Sequence, residues 1–454
     1  MMELALRRRL DCAQLGDLQL ATGQTAVAGD FQVGAKGDAL HGARGRDGRP
    51  GTAKETVGSS RARWVSCLLV GIVFAGGEAH AQKQFLEPIK VGAISTLALF
   101  PESTAAARAY FDVVNAYGGV KGHRLQLIVE DDKGQPQSAA EAAQKLVERD
   151  RVVANVGSAS ALECAVNGKF YESKGLVSIQ GTGADPGCFN SANVAPVNTG
   201  PYLDAVLGLR FLVDVRNKER VCLVAVAPSP IMKPAFESAV IDWTRSSGKK
   251  LAFAALGVSP TESIESLLRS VQGARCDGVV YTGIESEVIE WVKTASRLHI
   301  KGVDWVFLSP AYTDNVARTL GAEGEGIFAM SEFEPWSSRS GMLTDWRNVM
   351  VRGKVPLTSF SQGGYIAASI FVNMLRSIPG EITRESVTAA FKAMTPRTVS
   401  LIGTPFVFGR GTEHNPNRAA MPVRLETGKW VVAHFEYITQ TESNRQEVRS
   451  GTAP

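Results

Sequence analysis

The chain has 454 residues, 44% hydrophobic and 21% charged, and 49 Lys and Arg against 45 Asp and Glu leave a formal net charge of +4. That composition supplies one large or two medium cores, and near charge balance without a basic run argues against a nucleic-acid binder. The longest apolar stretch, Val65 to Ala75 broken only by Ser66 and Gly71, is short of the roughly 18 residues a membrane-spanning helix needs.

Residues 61–81 have the three parts of a secretory signal: Arg61 and Arg63, the apolar run Trp64 to Ala75, and Ala79-His80-Ala81 as a small-x-small cleavage site. Cleavage after Ala81 is expected, with a mature N-terminus at Gln82 and a periplasmic product. Cys67 lies at the beginning of the apolar run rather than its end, so no lipid anchor is expected. Residues 1–60 have no clear apolar period, and the collagen-like triplets Gly42-Ala43-Arg44, Gly45-Arg46-Asp47 and Gly48-Arg49-Pro50 are too few for a triple helix. A misassigned start codon is the preferred reading of this stretch and a disordered leader the alternative; the intact mass of the exported protein separates them.

From Ile89 onward short apolar strands alternate with helical patterns. Ile89–Ile94 reads as a strand, and Ala106, Ala109, Tyr110, Val113, Val114 and Tyr117 form one helical face that stops at Gly118-Gly119. A strand through Leu125, Leu127 and Val129 ends in Glu130-Asp131-Asp132, and Ser138 with Glu141 has capping-box spacing for a helix to about Glu148. Strand Val152–Val156, helix Ala161–Ser173 and strand Leu176–Ile179 continue a rhythm that predicts a parallel sheet with helices on both faces. The rhythm breaks over Asn190–Pro201, a crossover into a second lobe. There strands are expected at Val221–Ala227, Leu251–Leu256, Gly278–Thr282 and Trp305–Ser309, with helices near 233–247, 262–272, 285–298 and 313–320. After Ile327–Ser331 the pattern is helical at Met342–Arg352, Ser361–Ser377 and Thr383–Met394, and it closes with strand-like Thr404–Phe408, Met421–Leu425 and Trp430–Tyr437. Two α/β lobes are the natural division.

Beyond the signal stand Cys164, Cys188, Cys222 and Cys276. An even number in an exported chain suggests disulfides, for which three full pairings exist. Cys164 with Cys188, which bracket one strand and its loops, and Cys222 with Cys276, each at the start of a predicted strand, are favoured; buried free thiols are the alternative. No Cys/His spacing or HExxH suggests a metal, and no cofactor is expected.

In open parallel sheets ligands bind beyond the carboxyl ends of the strands, where loops and helix N-termini converge. The segments so placed include Ser95–Phe100, Gly157–Ser160, Gly181–Asp185, Pro228–Ile231, Gly283–Glu287 and Pro310–Thr313, the last contributing Tyr312. Hydroxyls dominate the first lobe and carboxylates the second, a pairing that suits a small zwitterion: Ser158, Ser160 and Thr182 for its carboxylate, Glu285 or Glu287 for its ammonium. Loop Ser and Thr are more often simple helix caps. Enzyme motifs are weak. Gly181-Thr182-Gly183 with Gly187 misses phosphate-loop spacing and is interrupted by Pro186, and Ser158 and Ser160 are not in GxSxG. Asp131-Asp132 has no second acidic pair to make a metal site and reads as a loop cap. No enzyme is expected.

The run Asn115-Ala116-Tyr117-Gly118-Gly119-Val120-Lys121-Gly122, then Leu125 to Asp132 and Gln135-Pro136, resembles a stretch of the type I periplasmic solute-binding proteins of the leucine/isoleucine/valine-binding kind, which serve ABC importers. The resemblance extends over about residues 88–440. It implies an α/β, two-lobed periplasmic-binding-protein type I fold, each lobe a mostly parallel sheet flanked by helices, joined by three crossovers. Lobe one would take residues 88–199 and 332–403, lobe two 200–331 and 404–440, with 441–454 a polar tail. It further implies that the Gly157–Ala161 loop binds the ligand carboxylate, Thr182 contacts ligand, Glu287 holds the ammonium, and Phe100 lies near an aromatic that covers it. Three positions depart from the pattern: Ala184 for a threonine, Pro230 for a second-lobe tyrosine, and Ser95-Thr96 for a Ser-Gly pair. The expected function is capture of an amino acid or related carboxylate by a monomer and its delivery to an ABC permease. Another small carboxylate, aromatic ones included, is the alternative ligand, and a ligand-sensing subunit of a receptor the alternative role.

Overall fold

The computed structural model describes residues 86–440; the signal, its cleavage site, the residues before it and the polar tail lie outside them. Strands β1 (Leu86–Ser95), β2 (His123–Asp131), β3 (Ala154–Ser160), β4 (Val177–Gly183) and β5 (Val194–Pro196) form an all-parallel sheet in the order β2-β1-β3-β4-β5. Every residue of β3 and β4 is buried, as a strand covered on both faces requires, which is why these strands read as continuous runs of apolar and small residues. Helix α1 (Pro101–Ala116) buries Ala106, Ala109 and Val114 of the predicted face and begins at Pro101, ahead of that face. Proline suits a first helical position because its fixed φ is helical and its missing N–H has no partner there. Helices α2 (Pro136–Gln144) and α3 (Glu163–Lys174) complete this part of the lobe.

The second sheet is β12-β11-β10-β9-β8-β6-β7, built from β6 (Val221–Val226), β7 (Phe253–Val258), β8 (Gly278–Tyr281), β9 (Asp304–Phe307), β10 (Phe328–Ser331), β11 (Ala419–Glu426) and β12 (Lys429–Val432). It is parallel except at β11, which runs antiparallel to β10 and β12. Helices α4 (Pro201–Arg210), α5 (Met232–Ser247), α6 (Ile264–Gly273), α7 (Glu285–Arg297) and α8 (Asp314–Leu320) flank it.

Between β10 and β11 lie α9 (Thr344–Gly353), α10 (Ser359–Ser377) and α11 (Arg384–Lys392), and they return to the first sheet. Tyr365 of α10 meets Tyr110 of α1 edge-on at 5.1 Å, and Thr388 of α11 donates its hydroxyl to the Gly175 carbonyl at 2.7 Å. The chain thus crosses between the sheets after Pro196, after Ser331 and before Ala419. Buried Glu332 binds the crossings together. Its carboxylate accepts from Asn198 Nδ2 (3.0 Å), Gly200 N (2.7 Å) and Ser309 Oγ (2.8 Å), and its carbonyl from Asn417 Nδ2 (2.7 Å).

Three expectations are corrected. Strand β5 falls within the broken rhythm of Asn190–Pro201, and helix α4, which a π turn extends to Val215, follows it where no element was expected. Ala205 to Leu209 are all buried, so α4 has no polar stripe to reveal its period. Thr404–Phe408 forms no strand, only a bridge from Phe406 to Arg397. Trp430–Tyr437 pairs only as far as Val432, and the next strand, β13, is Ile438–Thr439 against β11.

Candidate functional site

The carboxyl ends of β1, β3 and β4 bring together the loops that begin at Thr96, Ala161 and Ala184, held by register pairs such as Ser95 with Ala159 and Ser160 with Gly183. The two serines predicted to hold a carboxylate spend their hydroxyls inside the lobe. Ser158 Oγ accepts from Ile94 N at 3.0 Å. Ser160 Oγ donates to buried Asp132 and accepts the N–H groups of Leu162 (3.1 Å) and Glu163 (2.9 Å). Ser160 thereby serves N–H groups at the start of α3 that have no internal acceptors. Asp132 is structural too, accepting from Thr96 Oγ1 at 2.7 Å and Gly134 N at 2.9 Å.

Thr182 keeps a side-chain hydroxyl with no hydrogen bond among the described residues, at the last turn of β4 toward the loop. Phe100 is half-buried, its ring 5.1 Å from that of Phe360. Sequence reasoning passed over Glu102. It sits in the first turn of α1, one carboxylate oxygen is buried without a partner, and burial together with the charge of Glu285 raises its pKa. Its signal was a carboxylate next to Pro101 at a helix start.

On the second sheet, Glu287 accepts from Ile284 N at 2.9 Å, closing the first turn of α7, and burial raises its pKa. Glu285 accepts from Thr313 Oγ1 and Asn315 Nδ2, both at 2.5 Å, and so ties α7 to α8. Tyr312, the candidate from the Pro310–Thr313 segment, packs inside the second lobe. It is fully buried, stacked on Trp336 at 4.5 Å with Trp430 edge-on at 5.5 Å, and its hydroxyl donates to Ser337 Oγ at 2.6 Å. Apolar groups stand at both strand-end edges, where Leu99, Ile231 and Ile284 are exposed.

Beneath the first-lobe loops lies a buried polar network. Glu163 has no exposed surface, accepts from Tyr171 Oη at 2.6 Å and Gln180 Nε2 at 3.2 Å, and burial pushes its carboxyl up to about 8. Disulfides join Cys164 to Cys188 and Cys222 to Cys276. A cavity of about 340 Å³ lies on the crossover side, lined by Phe189, Thr199, Tyr202, Asp242 and Arg245 among others, and it contains no residue named from the sequence as ligand-binding. The strand ends, where unspent polar and apolar groups of both sheets occur, remain the candidate site.

Comparison with known proteins gives the same architecture. A periplasmic binding protein family model matches residues 88–429. An amino acid binding protein of Pseudomonas aeruginosa is 22% identical over 221 residues, a match that spans 46% of this chain and 55% of that protein. A branched chain amino acid ABC transporter structure from Thermus thermophilus with bound valine superposes with TM-score 0.67 at 18% identity, covering 81% of this chain and 99% of that one. A fatty acid ABC transporter substrate-binding protein from Thermomonospora curvata gives TM-score 0.65 at 19% identity, covering 79% and 94%. At these identities the structural likenesses carry the fold. With three quarters of its length matched by the family model, two mostly parallel sheets and three crossings between them, the chain belongs to the periplasmic binding protein family.

Proposed function

We propose that this protein captures a small amino acid or related carboxylate between its two lobes outside the cytoplasm and delivers it to an ABC-type permease. The observation that carries the reading is the pairing of two mostly parallel sheets whose carboxyl-end loops stand on segments tied by Glu332 at all three crossings. A ligand that touches loops of both lobes favours whichever arrangement makes both contacts, which is how binding selects a closed state.

Chemistry at the strand ends narrows the ligand. With Ser158 and Ser160 spent, Thr182 Oγ1 and backbone N–H groups are left for a carboxylate. Glu102 on the first lobe and Glu287 on the second supply negative charge for an ammonium, and Leu99, Ile231 and Ile284 suit an apolar side chain. A zwitterion with an aliphatic or aromatic side chain fits this set better than a dicarboxylate.

A thermal-shift screen of residues 82–454 against L-amino acids, 2-keto acids and aromatic carboxylates tests this. A ligand at about 100 times its Kd adds roughly 2.7 kcal/mol of stability. A shift by apolar L-amino acids is the expected result; a shift by keto or aromatic acids alone would remove the ammonium from the reading. In calorimetry Glu287→Gln, which keeps a capping side chain at the third helical position, should weaken an amino-acid ligand by about tenfold or more, roughly 1.4 kcal/mol. Unchanged affinity would take Glu287 out of the site.

A further inference from the structure

The two disulfides lie near opposite strand ends, the first near carboxyl ends and the second near amino ends. Cys164 is the second residue of α3, immediately after the Gly157–Ala161 loop, and Cys188 closes the single turn after Gly181–Asp185. Cys222 opens β6 and Cys276 precedes β8, where Val221 pairs with Gly278 at the amino ends of the strands, away from the loops that follow Val226 and Tyr281. A covalent bond therefore joins two candidate ligand loops in the first lobe, and none does so in the second among the described residues.

A second cross-link reinforces the first. Asp185 is wholly buried, and its carboxylate accepts from Cys164 N at 3.1 Å and Gly187 N at 2.7 Å, so one side chain fastens the end of one loop to the start of the helix that follows the other. The approach is close enough that a Cβ on Gly187 would lie 2.7 Å from Ala165 N. Thr182 lies in β4, two residues before the loop that these links hold.

We propose that Cys164, Cys188 and Asp185 are positioning residues of the first-lobe half-site: the disulfide and the buried carboxylate hold the two loops in their ligand-binding arrangement before ligand arrives, and reduction of this one disulfide weakens binding. The inference rests on the reading of these loops as ligand-binding. The reductant is a dithiol. Its thiolate attacks one sulfur and breaks the S–S bond, its second thiol closes on the mixed disulfide, and two electrons and two protons pass to the protein, leaving two thiols and an oxidised reductant. Loop ordering paid for by the disulfide is then charged to the ligand instead. By reciprocity, bound ligand protects Cys164–Cys188 from reduction.

The test compares Cys164→Ser/Cys188→Ser with Cys222→Ser/Cys276→Ser in the otherwise complete mature protein, with L-valine as the probe. The second disulfide closes the longer loop, with a sequence separation of 54 against 24, so a general loss of stability falls at least as heavily on its variant. The expected result is L-valine affinity about tenfold lower in the first variant and close to wild type in the second. In ligand-free protein, amide hydrogen exchange should quicken over residues 157–163 and 181–187 in the first variant alone. Equal loss of affinity in both variants, or unchanged exchange in these loops, overturns the proposal. If wild type does not bind L-valine, the functional reading fails for that ligand while the exchange comparison still decides the positioning role. Should the first variant not fold, wild-type protein exposed to dithiothreitol and then alkylated gives the same discrimination. Faster exchange over the two loops once Cys164 and Cys188 are alkylated supports the proposal, and unchanged exchange overturns it.

Discussion

Glu163 shows what a single buried side chain demands. Its carboxyl titrates near about 8 in the fold against an ordinary value of 4.5, chiefly because burial penalises the charged form. Between those pH values the folded protein keeps a proton that the unfolded chain has released, so this residue's stabilising contribution is complete at acid pH and is lost as pH rises toward 8. Glu163→Gln mimics the protonated form, and its new amide can donate to Gln180 Oε1, which has no partner. In urea unfolding at pH 5 and at pH 8 the variant should lose less stability than wild type across that interval; equal slopes would show that Glu163 ionises in the fold as readily as in the unfolded chain. The sequence named Ser158 and Ser160 one step away but not this residue. Their hydroxyls were legible as polar groups in a strand-end loop, whereas the partner of Ser158 is the Ile94 N–H, 64 positions earlier, and no local pattern announces such a partner.

At the scale of elements, α10 explains how the late helical block reaches the first lobe. A Cβ on Gly364 would lie 1.9 Å from the Ser103 carbonyl oxygen, and one on Gly363 would lie 2.1 Å from that of Gly181. The glycine pair therefore lets the helix backbone touch both the first turn of α1 and the ligand end of β4. Gly364→Ala must push these elements apart, at an expected cost of about 1–3 kcal/mol. Gly273→Ala in α6, where nothing lies within 4 Å of an added Cβ, should be neutral or gain a few tenths of a kcal/mol. Urea midpoints of the two variants check the contrast, and equal midpoints would mean that α10 can shift without loss. The helical period of 361–377 was plain in the sequence because one face is apolar. What Gly363 and Gly364 were for was not, since close approach is a property of two elements and not of one.

Across the whole molecule the three crossings share one buried acidic pair. Asp204 of α4 has both carboxyl oxygens buried without a hydrogen bond, the Ser309 N–H lying nearby, and burial together with the charge of Glu332 raises its pKa far above the ordinary range. Glu332 is also raised by burial, though hydrogen bonds from Ser309, Gly200, Asn198 and Thr199 favour its charge. Burial thus favours the protonated form of Asp204, while Glu332 takes the donors of Asn198, Gly200 and Ser309. Asp204→Asn should leave stability near wild type at pH 4 and exceed it at pH 9, because above the unfolded value of 3.8 the wild-type acid keeps its proton in the fold at a cost that grows with pH. Glu332→Ala should lose about 1–3 kcal/mol for each donor left unpaired at either pH. Denaturant unfolding at both pH values reads the two, and an Asp204→Asn curve parallel to wild type would mean that Asp204 does not carry the proton. The strand and helix rhythm and the motif from Asn115 to Pro136 were determined by sequence alone, because periodicity and turn chemistry are written within a few residues, while the return of the late helices after Ser331 was implied only by the resemblance that motif carries. Which hydroxyls are spent, which acid is neutral and which loops are fastened together were decided only by tertiary structure, because burial and hydrogen-bond partners come from segments that folding alone brings into contact.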